Sequence, residues 1–184
     1  MAQDFNSKEI QEFVRESLGE PLDIVHHSVV PFNLGYENGG GADVYMFKRT
    51  DGYICYVTGD LIGQGQKESD AGNYEFVIIM PENEEWGTKL ISSLAYYTLD
   101  ASINSYETMD LGDFGKEIGL TSILFNVIAT KNINGKSIGL MLIVGITNDE
   151  LNWKLNNSGK ELVDILSDKN IYPRTIPNRK SVIK

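Results

Sequence analysis

Cysteine and histidine are scarce in this 184-residue chain, which contains one cysteine, Cys55, and two histidines, His26 and His27. A single thiol cannot close a disulfide within the chain, and it cannot supply the thiolates of a structural zinc site. Neighbouring side chains on a strand point to opposite faces, so His26 and His27 cannot both join Asp23 in one metal site. We therefore predict no disulfide, no metal site and a reducing environment.

Long apolar runs and positive charge are also scarce. No run approaches the roughly 20 apolar residues that span a bilayer, and residues 1–5 lack the basic and apolar regions of a signal peptide. We therefore predict a cytoplasmic protein that does not bind membranes. The formal net charge of -10 predicts repulsion from nucleic acids and attraction to a basic protein partner. Solubility alone would explain the same charge.

Two short motifs resemble catalytic or cofactor-binding sequences. Gly135-Lys136-Ser137-Ile138-Gly139 has the G-x-S-x-G spacing of a hydrolase nucleophile, but a turn precedes it and a strand follows it. The glycines of the 63–69 segment have the wrong spacing for a phosphate loop, and Glu68 would repel phosphate. We therefore predict no catalytic residue and no cofactor. We interpret the 63–69 segment as a flexible surface loop within a longer polar, glycine-rich loop, 59–72.

The hydrophobic pattern predicts an α+β fold, with helices packed on a mixed, largely antiparallel sheet. Capping-box spacing of Asn6 and Glu9 and a stop at Gly19 predict the first helix. Further predicted elements are hairpins 43–57 and 123–147, a strand 74–80, a helix from about Asn83, an irregular acidic segment 100–119 and capping boxes at Thr147 and Ser158. We predict one domain, 1–184, in which 1–5 and 173–184 are peripheral tails.

Two strand-to-helix motifs carry a family resemblance. The first contains Tyr74-Glu75, Pro81, Trp86, Leu90, Leu94, Ala95 and Tyr97; the second contains Val144-Gly145-Ile146-Thr147, Glu150-Leu151, Gly159 and Leu162. In this order and spacing they resemble the suppressor-of-fused domain family, in its single-domain bacterial type. The basic segment 178–182 resembles the terminal motif of the family, without the acidic residue expected before it.

The resemblance implies a non-enzymatic domain that binds another protein. The eukaryotic family member clamps a peptide between two domains, and this chain resembles only the first of them, so that clamp is not carried over. Single-domain bacterial relatives resemble immunity proteins, which neutralise toxins by binding them. The oligomeric state and the identity of the partner do not follow from the sequence.

Acidic residues are the candidate partner-binding site. The candidates are Asp60, Asp70, Glu75, Glu84, Glu85, Asp110 and Asp113. A solvated acidic face is the alternative interpretation. Glu75 lies within an apolar strand, so it is either a buried structural carboxylate or part of a binding groove. The alternative function is a small hydrolase or ligand-binding enzyme whose site lies in the 59–72 loop.

Overall fold

The computed structural model describes residues 7–31, 34, 39–82, 84 and 86–183. The strands are β1 (Pro21–His26), β2 (Val44–Lys48), β3 (Tyr53–Thr58), β4 (Asn73–Pro81), β5 (Thr108–Asp110), β6 (Ser122–Ile133) and β7 (Lys136–Ile146). The α-helices are α1 (Ser7–Leu18), α2 (Trp86–Leu94), α3 (Gly112–Glu117), α4 (Asn148–Asn156) and α5 (Gly159–Asp168), and a 3-10 helix spans Ala95–Leu99. Within these ranges, none of the helices has the length and apolar character that a membrane crossing needs.

The seven strands form a single sheet in the order β1-β2-β3-β4-β7-β6-β5. All neighbours are antiparallel except β4 and β7, which run parallel from the pair Asn73 and Ile138 to the pair Ile78 and Ile143. A parallel pair needs a long crossover connection. Here α2, β5, α3 and β6 supply it. The predicted mixed, largely antiparallel sheet is therefore confirmed.

Both faces of the sheet are covered. On one face, Phe76, Ile78 and Phe125 form a core with Ile91 and Leu94 of α2. The opposite face packs against α1 and α5, and its core includes Phe13, Val77, Leu140, Leu142, Leu162 and Leu166. Successive residues of a strand point to opposite faces, so a strand that is apolar at every position is buried on both sides. β7 has this pattern from Ile138 to Ile146, and β4 is buried from Asn73 to Met80 although it includes the polar Asn73 and Glu75. The sequence predicts burial on both faces for β6 as well as β7, but in β6 only Ser122 to Asn126 are continuously buried.

The two predicted hairpins are confirmed. β2 pairs with β3 around a turn at Asp51 and Gly52, where Gly52 has φ +79°. β6 pairs with β7 around Asn134 and Gly135, which have φ of 53° and 80°. Positive φ at both central residues is typical of the tight hairpin turn that Asn-Gly sequences favour.

The helix ends agree with the prediction where the structure describes them. α1 ends at Leu18, and the Gly19 N–H donates to the Arg15 carbonyl at 2.8 Å. Asn6, Asn83 and Glu85 lie outside the described residues, and α2 begins at Trp86. At the start of α4 the Thr147 N–H donates to the Glu150 carboxylate at 2.9 Å. At the start of α5 the Glu161 N–H donates to the Ser158 hydroxyl at 3.4 Å.

The segment 100–119 is more regular than the prediction. It contains β5 and α3, and β5 pairs with β6 from Thr108 opposite Leu124 to Asp110 opposite Ser122. Asp110 Oδ1 then accepts a hydrogen bond of 2.6 Å from the Gly112 N–H. A strand of three residues is too short to show a hydrophobic period, so its sequence contains no signal for β5. The pairing with β6 is what forms this strand.

The described part of the C-terminal segment, 173–183, is not a peripheral tail. Thr175 is 0% exposed, and its N–H donates to the Ile79 carbonyl at 2.7 Å. Its hydroxyl accepts from the Gly145 N–H at 2.9 Å and lies 3.2 Å from the Ile143 carbonyl. Regular pairing of β4 with β7 ends at Ile78 and Ile143. The segment therefore satisfies the buried backbone groups that the two strands leave unpaired beyond this point.

We expect Thr175→Val to destabilise the fold by about 1–3 kcal/mol, because it keeps the side-chain shape but leaves the buried Gly145 N–H without an acceptor. Urea unfolding of both proteins measures the difference. Thr130→Val, on an exposed position of β6, is the matched control and should change the free energy of unfolding by no more than about 0.5 kcal/mol. Equal effects of the two substitutions would show that the Thr175 hydroxyl is not needed.

Candidate functional site

A cleft lies between α1 and strands β1 to β3. Its volume is about 180 Å³. Its apolar walls are Ile10, Val14, Pro21, Tyr45, Phe47 and Val57. The polar residues that line it are Gln11 and Arg15 on α1, Thr58 and Gly59 at the end of β3, and Glu75 on β4. The cleft thus joins an apolar wall to a buried carboxyl group, a combination that is common in binding sites.

Glu75 is the buried carboxyl group of this cleft and is 2% exposed. Its oxygens accept hydrogen bonds from the Thr58 hydroxyl at 2.7 Å and from the backbone N–H groups of Leu61 and Ile62 at 3.1 Å each. Burial raises its pKa to about 8, despite these bonds, and the charge of Asp60 adds to the rise. The structural interpretation of Glu75 is supported, because the carboxyl group is buried and hydrogen-bonded. Glu75 also lines the cleft, and its role in binding a partner stays a prediction.

The 59–72 loop is held by buried polar side chains. Gln66 is 7% exposed, donates to the Tyr74 carbonyl at 3.0 Å and accepts from the Tyr74 N–H at 2.8 Å. Its amide thereby pairs with β4 as a neighbouring strand would. Leu61 and Ile62 are buried, and their N–H groups bond Glu75. The segment is a surface loop, as predicted. Leu61, Ile62 and Gln66 anchor it to the sheet, while other polar residues of the loop, such as Lys67 and Glu68, are exposed.

Several acidic residues lie near Tyr45. The Tyr45 ring packs against Gly59 and occupies the space that a side chain at residue 59 would need. Its pKa is raised by burial and by the charges of Asp43, Asp60 and Glu75. Burial and the charge of Asp43 raise the pKa of Asp60 to about 6. One oxygen of Asp60, Oδ1, is buried and has no hydrogen-bond partner among the described residues. Asp43 Oδ2 lies 2.7 Å from His27 Nδ1.

The candidate acidic residues do not form a single surface. Glu75 lines the cleft, and Asp60 follows the lining residue Gly59. Asp70 is on the loop and accepts from the Ser105 N–H at 3.0 Å. The partly buried Glu84 follows β4, and its carbonyl accepts from the Tyr56 hydroxyl at 3.2 Å. Glu85 lies outside the described residues. Partner binding by these residues stays a prediction.

Asp110 and Asp113 share a second, shallower depression of about 560 Å³ beside α3. Asp113 is exposed and pairs with Lys116 at 2.6 Å, while Asp110 holds the first turn of α3. Exposed pairs of this kind contribute little stability. These residues are therefore accessible to a partner at small cost.

A second buried carboxylate, Glu150, anchors the C-terminal segment. It is 0% exposed, and the Arg179 guanidinium donates to both of its oxygens at 2.5 and 2.6 Å. Burial alone would raise the pKa of Glu150. The bonds from Arg179 and from the N–H groups of Thr147 and Val182 outweigh burial and lower it. The sequence places Arg179 in a basic motif and assigns it no role. The ion pair is missed because Glu150 and Arg179 are 29 residues apart in the chain.

Ser137 of the G-x-S-x-G motif and His26 of the histidine pair both have contacts within the protein. Ser137 lies on β7 just after the hairpin turn, and its hydroxyl donates to the Ala71 carbonyl at 3.1 Å. His26 Nε2 lies 3.3 Å from Met46 Sδ. In the part of the chain that the structure describes, no group of three or more His, Cys, Asp or Glu side chains could hold a metal ion.

The fold is that of suppressor-of-fused structures. A structure of the Sufu-Fu complex aligns with TM-score 0.70 and 15% identity, covering 95% of this chain and 91% of that one. A structure described as a SUFU homolog from Neisseria gonorrhoeae FA 1090 aligns with TM-score 0.69 and 14% identity, covering 97% of both chains. Drosophila Suppressor of Fused aligns with TM-score 0.67 and 14% identity over 96% of this chain and 50% of that one. This chain therefore spans half of the Drosophila structure.

The sequence profile of the suppressor of fused protein (SUFU) family matches residues 40–180. The chain therefore belongs to the SUFU family, as the two strand-to-helix motifs predicted. No functionally curated protein shows significant sequence similarity to it.

Glu75 should make the fold less stable as the pH rises. The pKa of an unfolded glutamate is about 4.3, whereas that of Glu75 is about 8. Between these values the folded protein holds a proton that the unfolded chain has lost. The free energy of unfolding should therefore fall with rising pH across this window, by at most about 1.4 kcal/mol per pH unit. The contribution is complete below the unfolded pKa, and Asp60 acts in the same direction at lower pH.

Urea unfolding at pH 5, 6, 7 and 8 measures this dependence. Glu75→Gln cannot titrate, so its stability should vary less between pH 6 and 8 than that of the parent, whatever its absolute value. Glu161→Gln removes an exposed carboxylate and should keep the parent slope. A parent protein that becomes steadily more stable from pH 5 to pH 8 would contradict the assignment.

Proposed function

We propose that this protein is a non-enzymatic protein-binding domain that acts in a bacterial cytoplasm as an immunity protein, by binding and neutralising a toxin. The observation that carries the proposal is the match of nearly the whole fold to a SUFU structure described as the Sufu-Fu complex, which is a protein assembly. Membership of the SUFU family supports the binding role. The alignment with the Neisseria structure, which covers 97% of both chains, supports the comparison with bacterial relatives.

Charge supports a basic partner. The chain has 26 acidic and 16 basic residues. Arginines of the C-terminal segment are engaged within the protein, since Arg179 bonds Glu150 and Arg174 lies 3.2 Å from Asp51. The positive charge of these two arginines is therefore balanced by acidic residues of the same chain. Acids such as Asp113 stay accessible. Complementary charge would accelerate association with a basic toxin.

The enzymatic alternative has less support. It placed a site in the 59–72 loop, but the buried polar groups there fasten the loop to β4. Glu75 of β4 accepts from Leu61 and Ile62, and Gln66 pairs with the Tyr74 backbone. A general acid or base acts on a substrate proton within hydrogen-bond reach, and the hydrogen bonds seen here hold the loop in place instead.

Affinity capture from the native cytoplasm, followed by co-expression with a captured toxin, tests the proposal. We expect a basic partner whose toxicity is relieved by this chain. Raising the salt concentration from about 0.05 to 0.5 M shortens the screening length from about 14 to 4 Å, so association should slow at least several-fold. Stopped-flow or surface-binding kinetics at both salt concentrations measure this.

A pair of charge reversals locates the surface. Glu84→Lys with Asp113→Lys should slow association and weaken growth rescue. The same change on the opposite face of the sheet, Asp164→Lys with Asp168→Lys at exposed positions of α5, alters the net charge equally. The pair that slows association more identifies the face nearer the partner. If both pairs of substitutions slow association equally, the acidic residues act only through long-range attraction. A captured acidic partner, or a toxin that this chain fails to neutralise, would refute the proposal.

A further inference from the structure

The cleft between α1 and β1 to β3 points to a more specific contact with the partner than the overall negative charge of the protein provides. We propose that it receives one lysine side chain of the protein partner, with the alkyl stem between the apolar walls and the ammonium group at the Glu75 end. This inference rests on the proposed function, since it names the anchoring residue of the basic partner.

The size of the cleft limits its occupant to a single side chain. Small-molecule sites usually have volumes of about 300–1,000 Å³, whereas this cleft has about 180 Å³. A cavity of about 150 Å³ accommodates a molecule as small as benzene. A side chain inserted from a partner surface fits this volume, while a nucleotide or a drug-sized ligand does not.

The lining of the cleft matches an amphipathic side chain. Along its walls lie Ile10 and Val14 of α1, Tyr45 and Phe47 of β2, and Val57 of β3. Lysine buries a four-carbon apolar stem while its charged end keeps polar partners. A stem between these walls would place its ammonium group among the polar residues Thr58, Gly59 and Glu75.

The charges around the cleft favour a cation. Asp43, Asp60 and Glu75 each raise the pKa of Tyr45, so their fields converge on a side chain of the cleft wall. Asp60 Oδ1 is buried and lacks a hydrogen-bond donor among the described residues. In the described part of the chain, the cleft is also lined by one positively charged residue, Arg15, which lies 3.6 Å from the Glu20 carboxylate. Arg15 therefore already has a carboxylate partner.

Lysine fits better than arginine because of the way Glu75 is bonded. A guanidinium group prefers a carboxylate with two open oxygens, which it binds through two parallel hydrogen bonds. Glu75 Oε1 accepts from Leu61 and Ile62, and Oε2 accepts from Thr58 and, at 3.3 Å, shares the Leu61 N–H. Neither oxygen is open for such a fork. An ammonium group needs only one remaining lone pair and can turn its other donors elsewhere.

Titration of the isolated chain with n-butylammonium chloride tests the proposal by NMR. We expect saturable binding in the millimolar range, with the largest shifts at the Leu61 and Ile62 amides, whose N–H groups donate to Glu75. n-Butanol, which lacks the charge, and n-butylguanidinium should bind at least several-fold more weakly. Equal binding of n-butanol would overturn the cationic assignment, and tighter binding of n-butylguanidinium would overturn the choice of lysine.

Matched substitutions locate the binding. Val14→Trp should fill the cleft and abolish the shifts at Leu61 and Ile62. Leu155→Trp, which adds the same side chain at a 65% exposed position of α4, should leave binding unchanged. Asp60→Asn should weaken binding several-fold while the amide spectrum stays that of a folded protein. Binding that survives Val14→Trp would place the ammonium elsewhere and overturn the proposal.

The pH dependence gives a further check. A cation beside Glu75 favours its ionised form, so binding below the pKa of about 8 must release a proton. The ionised fraction of such a group rises from about one tenth at pH 7 to about nine tenths at pH 9, so affinity for n-butylammonium should rise about tenfold. Tyr45 stays neutral over this range and Asp60 is already ionised. An affinity that falls with rising pH would contradict the position of the ammonium.

The two proposals fail separately. n-Butylammonium that does not bind at 100 mM would overturn the lysine site but would leave capture and neutralisation of a toxin unaffected. A chain that binds n-butylammonium as expected but neutralises no toxin would refute the immunity function instead. In a captured complex, substitution of the inserted lysine of the partner by alanine should cost at least tenfold in affinity, as loss of a central anchor does.

Discussion

The buried carboxyl of Glu75 is the constraint on which the first half of the fold depends. A carboxyl group away from water is costly unless its oxygens have donors. Thr58 at the end of β3 and the N–H groups of Leu61 and Ile62 are those donors. The long loop between β3 and β4 is therefore drawn onto the sheet. The same carboxyl closes the polar end of the cleft, so structure and candidate site share one group.

Glu150 performs the corresponding task in the second half, and the comparison explains why the two carboxyls titrate differently. Each glutamate is buried and accepts backbone N–H groups from a distant segment. Glu150 also faces the Arg179 guanidinium, so its charged form is stabilised and its pKa falls. Glu75 has no such cation within the described residues, so desolvation prevails and its pKa rises. Glu150 already has a buried positive partner in Arg179. The ionised form of Glu75 has none in the part of the chain that the structure describes, so an incoming positive charge would stabilise it.

This difference connects the fold with the proposed function. In the proposed function, acidic residues attract a basic protein over long distances. In the proposed lysine site, the cleft gives that protein one place where a lysine loses water and gains a partner. Long-range charge acts chiefly on the association rate, and a buried anchor acts chiefly on dissociation. An immunity protein that must bind its toxin quickly and hold it benefits from both contributions.

The sequence by itself determined the elements whose signals are local. Alternating or continuous apolar runs predicted strands β2, β3, β4, β6 and β7, Asn134-Gly135 and Asp51-Gly52 predicted the hairpin turns, and Gly19 predicted the end of α1. Tertiary structure alone decided the rest, because the deciding contacts join residues far apart in the chain. Thr175 reaches Ile79 and Gly145, Arg179 reaches Glu150, and α1 folds over β2 and β3 to form the cleft. No pattern within a short window contains such pairings, which exist only once the sheet has brought the segments together.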